Sequence, residues 1–395
     1  MITDPIVIVG ASRTPIGGFM GELGDLSASA LGAHAIEGAL TSAGLPAAGV
    51  DEVIMGCVLQ AGQGQAPARQ AALSAALGED TGSTTVNKMC GSGMKACMLA
   101  HDALVAGTNT AVVAGGMESM SNAPYLVEKA RSGVRLGNAT VLDHMFLDGL
   151  QDPFGRGDLM GSFAEDCAEH YQFTREAQDR YALQSLERAC NATDNGDFEG
   201  ELSTIIVQHR RGETVVDTDE QPRLARPDKI PHLRPAFRDG GTVTAANSSS
   251  ISDGAAALVM MRESEAERRG LTPRAKLCGH TTHAQSPAWF TTAPIGAINK
   301  LIEKLGWSLD DIDLFEINEA FAVVAMAAIR DLDLDDERVN LRGGACALGH
   351  PIGASGARIM VTLLHALEAN DAMRGIASLC IGGGEATAIG LERYR

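Results

Sequence analysis

The sequence reads Asn87-Lys-Met-Cys-Gly-Ser-Gly93 at the point that decides the fold. A helix is predicted from this turn through Ala106, and an apolar strand over residues 110–114 and the pair Gly115-Gly116 follow it. A glycine-rich turn, a helix and a buried strand in this order are typical of α/β proteins. The stretch therefore predicts one α/β unit in the N-terminal part of the chain.

A second stretch repeats this order of elements near the C-terminus. Gly353-Ala-Ser-Gly356 precedes a helix predicted through Leu367, and a strand over residues 376–379 and Gly382-Gly-Gly384 come next. The repeat predicts two related halves that pack together. The same order of elements is also common in unrelated α/β proteins, so both explanations stay open.

Strands and helices also alternate ahead of the first stretch. An apolar strand covers residues 6–9, and a helix covers residues 29–43. A short strand covers residues 53–55, and Pro67 opens a helix that we expect to end at Gly78. This alternation predicts α/β layers around a largely parallel or mixed sheet.

Length and composition predict the domain organisation. The 395 residues suggest two or three units at about 150 residues each. We expect an N-terminal half over residues 1–270 and a C-terminal half over residues 271–395. Composition changes over about residues 119–247, which we expect to form a subdomain inserted into the first half. Within it, residues 209–238 carry seven basic and five acidic side chains, a balance that suits an anionic ligand or a solvated surface.

The net charge argues against several classes of partner. Lys and Arg number 32 and Asp and Glu 50, which gives −18; this field repels nucleic acids and anionic membranes. The longest apolar run, over residues 320–329, is shorter than the roughly 20 residues of a membrane span. Because Met1-Ile-Thr-Asp4 has no basic character, we expect no targeting peptide and a cytoplasmic location.

Cysteine and histidine spacing argues against several common sites. None of the eight cysteines forms a C-x-x-C pair, and the close pair His280 and His283 has no Cys or Glu at ligand spacing. We therefore expect no disulfide framework and no metal. The H-E-x-x-H, P-loop, G-x-G-x-x-G and G-x-S-x-G motifs are absent. Their absence argues against zinc hydrolases, NTPases, dinucleotide dehydrogenases and serine esterases.

Cys90 is the first candidate catalytic residue. A helix N-terminus is expected to lower the pKa of its thiol from about 8.5 and to favour the nucleophilic thiolate. Gly91 and Gly93 would let a substrate carbonyl approach the backbone. Cys97, on the same helical face, is expected to be a core residue, and a buried structural role is also the alternative for Cys90.

Three further residues occupy positions that suit catalytic groups. His350 lies between Gly349 and Pro351, at the start of a predicted helix, where an imidazole can act as a general base. Cys380 ends an apolar strand and can exchange a proton with substrate carbon. Asn318 lies between a strand and a helix and can orient a water or a catalytic group. The alternatives are a hydrogen-bonded turn histidine, a core cysteine and a helix N-cap.

Five longer motifs carry a resemblance to a known family. They stand in the order Asn87-x-x-Cys-Gly-Ser-Gly93, Gly115-Gly-Met-Glu-Ser-Met120, Asn318-Glu-Ala-Phe-Ala322, Gly349-His-Pro-Ile-Gly-Ala-Ser-Gly356 and Cys380-Ile-Gly-Gly-Gly384. In this order and spacing, the chain from Ile6 to its C-terminus resembles the thiolase family, and most of all its acetyl-transferring members. The resemblance implies duplicated α/β/α halves that form a five-layered α-β-α-β-α core with an inserted loop subdomain.

The resemblance also implies a division of catalytic roles. Cys90 would accept the acyl group after activation by His350, and Cys380 would move the proton on the α-carbon of the second thioester. Asn318 would hold a water that stabilises the enolate together with His350. The backbone N–H groups of Cys90 and Gly382 would stabilise the acyl-enzyme carbonyl. Such covalent transfer predicts ping-pong kinetics with CoA as a substrate and no bound cofactor.

For coenzyme A, the resemblance implies a set of contact residues in and near the inserted subdomain. They are Met160, Phe237, Ala245, Ser249, Ala320, Phe321 and, at the adenine end, Arg223. Three stretches depart from the family pattern, namely Leu159-Met-Gly161, Asn247-Ser-Ser-Ser250 and Glu385-Ala386. None of them contains a predicted catalytic side chain, so they leave the reaction type in place and the substrate detail open.

These expectations combine into a predicted activity. We expect reversible condensation of two acetyl-CoA molecules to acetoacetyl-CoA and CoA, with degradative thiolysis of longer 3-ketoacyl-CoA chains as the alternative. A decarboxylating condensing enzyme would not need Cys380, and a non-catalytic acyl-CoA carrier would have lost a catalytic residue. The resemblance further implies a homotetramer of tight dimers, with apolar strands such as residues 111–114 pairing across a two-fold axis.

Acyl chain length is the property that the sequence constrains least. Met89 and Met94 flank the nucleophile and would shorten the pocket, which favours acetyl and acetoacetyl groups. Leu159 stands where many relatives have histidine, and methionines repack readily around longer chains. We expect a short-chain preference with some tolerance for C5 and C6 acyl groups.

Overall fold

The structure is a computed structural model that describes residues 4–155, 157–209 and 212–394. The stretch in which we expect no targeting peptide begins at Met1, which lies outside the described residues. The same holds for three arginines of the inserted segment, Arg156, Arg210 and Arg211. The strands are β1 (Ile6–Arg13), β2 (Gly17–Gly18), β3 (Glu52–Gly56), β4 (Gly82–Val86), β5 (Ala111–Ser119), β6 (Tyr125–Val127), β7 (Val141–Asp143), β8 (Ile205–His209), β9 (Gly212–Val216), β10 (Ser252–Arg262), β11 (Ala275–Ala284), β12 (Leu314–Ile317), β13 (Arg374–Ile381) and β14 (Glu385–Arg393). The helices are α1 (Ala28–Ala43), α2 (Pro67–Ser74), α3 (Ser92–Ala106), α4 (Met160–Tyr171), α5 (Arg175–Asp194), α6 (Glu220–Leu224), α7 (Glu263–Arg269), α8 (Ala293–Leu305), α9 (Ala322–Asp331), α10 (Ala345–Leu348) and α11 (Ser355–Ala369).

Local sequence signals place most of these boundaries. The Ser27 side chain caps the start of α1 by accepting a hydrogen bond from the Ala30 N–H, and Gly44 ends it in the left-handed region at φ 64°. The predicted end of α2 at Gly78 is wrong. The helix ends at Ser74, because Ala76 adopts a left-handed conformation at φ 56° and turns the chain out of the helix.

Strand pairing shows that the two halves share one topology. In the first half, β1 pairs antiparallel with β10, β10 antiparallel with β5, and β5 parallel with β3. In the second half, β11 pairs antiparallel with β14, β14 antiparallel with β13, and β13 parallel with β12. The two orders correspond strand for strand, so the predicted duplication is confirmed. A two-residue antiparallel pairing between β1 and β11 joins the halves into one hydrogen-bonded sheet.

Side-chain alternation along the strands builds the predicted five layers. In β1, Val7 and Val9 face a core formed with α1 and α2, whereas Ile6 and Ile8 face a second core. That second core lies between the two sheet halves and holds α3 and α11. The opposite face of the C-terminal strands packs on α8 and α9. The order is therefore helices, sheet, helices, sheet, helices.

Two expectations about surfaces can be compared with this arrangement. Residues 111–114 cannot pair across a two-fold axis as predicted, because β5 lies inside the sheet with β10 on one side and β3 on the other. The strand at this end of the sheet is β4. In the described ranges, none of the helices combines the length and apolar character that crossing a bilayer requires.

The segment between β5 and β10 packs over the C-terminal end of a strand in the second half of the chain. It contributes β6 to β9 and α4 to α6. Ala164 and Cys167 of α4 pack with Val243, Phe321 and Cys380 in one apolar cluster. This packing lays the inserted segment directly over the end of β13.

Candidate active site

A rigid turn presents Cys90 ahead of α3. The Asn87 Oδ1 accepts a hydrogen bond from the Met89 N–H at 2.9 Å. The Ser92 Oγ accepts from the Lys88 N–H at 2.8 Å and donates to the Met89 carbonyl at 2.6 Å. Met89 itself is held in the left-handed region at φ 48°. Asn87 and Ser92 thus fix the backbone on both sides of the nucleophile.

Gly91 and Gly93 are both required for close packing. A Cβ on Gly91 would lie 2.3 Å from the Ile381 Cδ1. A Cβ on Gly93 would lie 2.9 Å from the Ala357 nitrogen and 3.1 Å from the Ala354 carbonyl oxygen. The two glycine-rich motifs of the repeat therefore pack against each other, and they bring the starts of α3 and α11 together.

The environment of Cys90 also reverses the predicted direction of its pKa. Burial raises the pKa of the Cys90 thiol to about 11, although the N–H groups of Gly382 and of Cys90 itself oppose this by donating to the sulfur. The N-terminus of α3 does not lower the pKa below its usual value, because Cys90 precedes the N-cap residue, Gly91, and is desolvated. Cys90 is consequently a thiol at neutral pH and needs a base to become a nucleophile.

His350 lies in a turn between two helices and not at a helix start as predicted. Gly349 ends α10 at φ 109°, and α11 begins only at Ser355. The backbone N–H of His350 donates to the Ser250 carbonyl at 3.1 Å and to the Ser252 Oγ at 3.3 Å. A Cβ at Gly349 would lie 2.2 Å from that Oγ, so only glycine fits there. The position of the imidazole is therefore set by the hydrogen bonds of the His350 N–H and by the close packing of Gly349.

Hydrogen bonding identifies which imidazole nitrogen can act as a base. The His350 Nδ1 lies 2.6 Å from the Ser355 Oγ, and this hydroxyl donates to the Pro351 carbonyl at 3.0 Å. The hydroxyl must accept from Nδ1–H, so Nε2 carries the lone pair. Nε2 is buried and has no hydrogen-bond partner within the described residues. Burial and the positive charge of Arg358 lower the pKa of His350 to about 3, so the ring is neutral.

Cys380 lies close enough to Cys90 for the two thiols to interact, whereas neither Cys380 nor Asn318 is among the residues that line the cavity holding Cys90 and His350. Cys380 is fully buried at the end of β13; burial raises the pKa of its thiol, and the nearby Cys90 raises it further. Asn318 follows β12, where its N–H donates to the Ser378 carbonyl at 3.0 Å. The N-cap alternative for Asn318 is wrong, because α9 starts at Ala322. Its Nδ2 is buried and unpartnered among the described residues.

A largely apolar cavity of about 350 Å³ opens onto Cys90 and His350. It contains Cys90, His350 and Gly382 in its wall. Six of the seven predicted coenzyme A contacts also line it, namely Met160, Phe237, Ala245, Ser249, Ala320 and Phe321. Arg223 does not line it, because its guanidinium binds the Glu22 carboxylate at 2.6 Å.

Two cations that the sequence did not single out lie closer to the cavity mouth. Arg226 and Lys229 line a groove of about 280 Å³ that shares Ala245 and Ser250 with the cavity wall. Both belong to the basic stretch over residues 209–238. The excess of basic over acidic residues in this stretch was the sequence signal for an anionic ligand. Only the fold shows which of its basic side chains face the groove.

The departures from the family pattern are accommodated locally. The Ser248 Oγ donates to the Thr244 carbonyl at 2.7 Å, and the Ser250 and Ser252 hydroxyls lie 3.1 Å apart. Glu385 forms an ion pair with Lys88 in the turn that carries the nucleophile. The substituted Glu385 therefore links the end of the repeat to the Cys90 turn.

The acyl end of the cavity differs from the predicted one in one residue. Met89 lines it as expected, and so does Leu159. Met94 does not, since it is fully buried between α3 and α11, where its nitrogen faces Gly356. Side chains that the sequence did not single out complete the apolar wall, namely Phe146, Leu150, Ile251 and Ile352.

One group of possible metal ligands lies apart from this cavity. His101 and His280 both lie within hydrogen-bond distance of the Asp102 Oδ1, at 3.1 Å and 2.9 Å. The sequence missed this group because Asp102 comes from α3 and His280 from β11. Its members are joined to one another by these hydrogen bonds.

The pKa of Cys90 gives a direct test of the base assignment. Because that pKa lies near 11, the thiolate fraction should rise about tenfold per pH unit between pH 7 and 10. We expect alkylation of Cys90 by iodoacetamide in His350→Ala, followed by mass spectrometry, to rise with that slope. The unmodified chain should react faster at pH 7, since Nε2 accepts the proton. An alkylation rate that reaches a plateau below pH 9 in the variant would instead show that the pKa of Cys90 is lowered, as the helix N-terminus predicts.

Comparisons with known proteins agree with this fold and site. The family descriptions "Thiolase, N-terminal domain" and "Thiolase, C-terminal domain" match residues 6–264 and 271–393. An acetyl-CoA acetyltransferase of Pseudomonas aeruginosa is 47% identical over 390 residues, which cover 98% of this chain and 99% of the relative. A probable acetyl-CoA acyltransferase of Staphylococcus aureus is 46% identical over 392 residues, covering 99% of each.

A solved structure extends the similarity to the whole fold. The crystal structure of a thiolase from Ascaris suum in complex with coenzyme A superposes with a TM-score of 0.93 at 41% sequence identity, covering 99% of this chain and 100% of that one. Sequence profiles, full-length relatives and the duplicated five-layer core thus agree along almost the entire chain, and the chain belongs to the thiolase family.

Proposed function

We propose that this chain is an acetyl-CoA C-acetyltransferase, which reversibly condenses two acetyl-CoA molecules to acetoacetyl-CoA and CoA. The observation that carries the proposal is the single cavity wall that brings together Cys90, His350 and Gly382. A nucleophile, a base and a preset N–H donor at one point are what acyl transfer requires. Full-length relatives that carry this name support it.

The first half-reaction transfers an acetyl group to Cys90. The thiol proton moves to the His350 Nε2 as the sulfur attacks the thioester carbonyl. The N–H groups of Cys90 and Gly382, two residues of the cavity wall, stabilise the negative charge on that oxygen. The C–S bond to CoA then breaks, and the proton on His350 passes to the departing CoA sulfur.

The second half-reaction forms the carbon–carbon bond. Once CoA has left, the thiol proton of Cys380 moves to His350, and the resulting thiolate takes a proton from the methyl group of the second acetyl-CoA. Protonated His350 and a water held by Asn318 stabilise the enolate. The enolate attacks the acetyl carbonyl, the bond to the Cys90 sulfur breaks, and acetoacetyl-CoA forms. The proton on His350 then passes to the Cys90 thiolate, which returns Cys90, Cys380 and His350 to their starting protonation states. Burial raises the pKa of Cys380, so its thiolate is a strong base.

Thiolysis of longer 3-ketoacyl-CoA chains is the second candidate function. The apolar wall formed by Met89, Phe146, Leu150, Leu159 and Ile352 favours it, because methionine and leucine side chains adapt to a longer alkyl group. The relatives named acetyl-CoA acyltransferase agree with either substrate range. Chain length therefore has to be decided by measurement.

The test of the proposal is a series of thiolysis rates. We expect kcat/KM to be highest for the four-carbon 3-ketoacyl-CoA, to persist for C5 and C6 acyl groups, and to fall with each further extension, because an extra methylene changes discrimination by about 1–3 kcal/mol. Substrates of four to sixteen carbons would be compared on one enzyme preparation. Efficiency that rises toward sixteen carbons would establish the degradative function instead.

Arg226 and Lys229 should contribute to binding of the nucleotide end of CoA. Replacing both with Ala is expected to raise KM for CoA in thiolysis about threefold to tenfold at low salt, with kcat unchanged, because exposed charges add little to the chemical step. Arg268→Ala removes an exposed cation that already pairs with Glu265 and serves as the control. If Arg223→Ala raised KM for CoA more than the double replacement does, Arg223 and not the pair would bind the adenine end of CoA.

A further inference from the structure

A buried cation lies directly behind the catalytic asparagine. Arg358 is in the first turn of α11, three residues after Ser355, and is 2% exposed. Its Nη1 lies 3.5 Å from the Glu316 Oε2, and its Nη2 lies 3.5 Å from the Asn318 Oδ1. A single guanidinium therefore joins a buried carboxylate to a side chain of the site.

Strand geometry explains why Glu316 and Asn318 meet the same guanidinium. Alternate residues of β12 face opposite sides, and Phe315 and Ile317 pack in the outer core with α8 and α9. Glu316 and Asn318 are therefore directed to the central helix layer, where α11 lies. A buried carboxylate on this face requires a partner, and Arg358 supplies it.

The guanidinium fixes the orientation of the Asn318 amide. Arginine only donates hydrogen bonds, so the amide oxygen has to face Arg358 and the amide nitrogen has to face away. In that orientation Nδ2 is buried without a hydrogen-bond partner among the described residues. If the amide were rotated by 180°, its NH₂ group would face the cation of Arg358. The hydrogen bond from Arg358 to the amide oxygen would then be lost, and Nδ2 would no longer face away from Arg358.

We propose that Arg358, held in place by Glu316, is a positioning residue that keeps the Asn318 Nδ2 presented for the enolate step. Ser355, at the start of the same helical turn, holds the His350 Nδ1. The first turn of α11 thus orients both groups that stabilise the enolate. The proposal rests on the proposed function, in which Asn318 serves condensation and not acyl transfer to Cys90.

The charges around Arg358 decide which substitutions are informative. Burial lowers the pKa of Arg358, whereas Glu316 raises it; Arg13, Glu201 and Glu319 act on it from further away. Burial raises the pKa of Glu316 to about 8, and Arg358 opposes this rise. Removing Arg358 alone would leave a buried carboxyl without its partner. Arg358→Lys keeps the charge and loses the second donor, and the pair E316Q/R358M removes both charges together.

The test compares the two half-reactions in R358K. We expect condensation and thiolysis to fall about tenfold, which corresponds to one lost hydrogen bond to a charged group in the transition state. Acetylation of Cys90 by acetyl-CoA alone, followed by mass spectrometry, should stay within about twofold of the unmodified rate. Arg188→Lys alters another largely buried arginine, which donates to the Val339 carbonyl at 2.9 Å and pairs with Asp336, and controls for general loss of packing.

A double-mutant cycle separates positioning from structural support. If Arg358 acts through Asn318, adding R358K to Asn318→Ala should slow condensation less than about twofold further. Independent, multiplying losses would overturn the proposal, and so would an equal slowing of Cys90 acetylation in R358K. If R358K fails to fold, E316Q/R358M is carried through the same cycle with Asn318→Ala and judged on condensation rates alone, because the charge of Arg358 acts on His350 and its loss also changes acetylation. Absence of Cys90 acetylation in the unmodified chain would instead refute the proposed function.

Discussion

Cys90→Ala is expected to abolish condensation and thiolysis together, with a loss of about 10⁴-fold or more, because both half-reactions pass through the acyl-cysteine. Incubating the unmodified chain with acetyl-CoA should add one acetyl mass to the peptide that contains Cys90. The same peptide from the variant should carry none. Among the described residues that line the cavity, Cys90 is the only cysteine, so activity should not be redirected.

Cys97 provides the matched control for this substitution. It lies on α3 seven residues after Cys90, is fully buried, and packs in the central core away from the cavity wall. Cys97→Ala is expected to lower the melting temperature by creating a small cavity and to keep its kcat. Acetyl groups that map to another cysteine, or acetylation that persists in Cys90→Ala, would contradict the assignment of the nucleophile.

The fold was predictable because its signals are local and occur twice. The glycine-rich turns before α3 and α11, each followed by a helix and an apolar strand, define both copies of the repeat without any long-range information. The early end of α2 was not predictable from the same signals. It depends on a left-handed alanine, Ala76, which the sequence does not mark because alanine favours helix.

The site was predictable in residue type and less so in chemistry. The sequence singled out Cys90, His350, Cys380 and Asn318, and the structure places them at neighbouring element ends. The pKa of Cys90 went in the opposite direction because desolvation is produced by packed segments that are distant in the chain. The ion pair of Lys88 and Glu385 joins residues 297 positions apart, and no spacing rule connects them.

Cys380→Ser is expected to separate the two half-reactions, which is the second large effect. A hydroxyl at this position is a far weaker acid than a thiol and cannot take the α-proton, so condensation and thiolysis should fall by about 10²–10⁴-fold, the usual contribution of a general base. Acetylation of Cys90 by acetyl-CoA should continue, because that step uses His350 and the N–H groups at the sulfur. The acetyl-enzyme should therefore accumulate and be visible by mass spectrometry.

Cys167 makes this result specific to position 380. It is fully buried in α4, in the same apolar cluster as Cys380. Cys167→Ser puts the same chemical change next to the site, so it should affect stability while leaving the ratio of acetylation to condensation unchanged. If Cys380→Ser lost Cys90 acetylation as fully as condensation, Cys380 would be required for the first half-reaction. The separation of acyl transfer from proton transfer between the two sulfurs would then be wrong, because one site would be serving both steps.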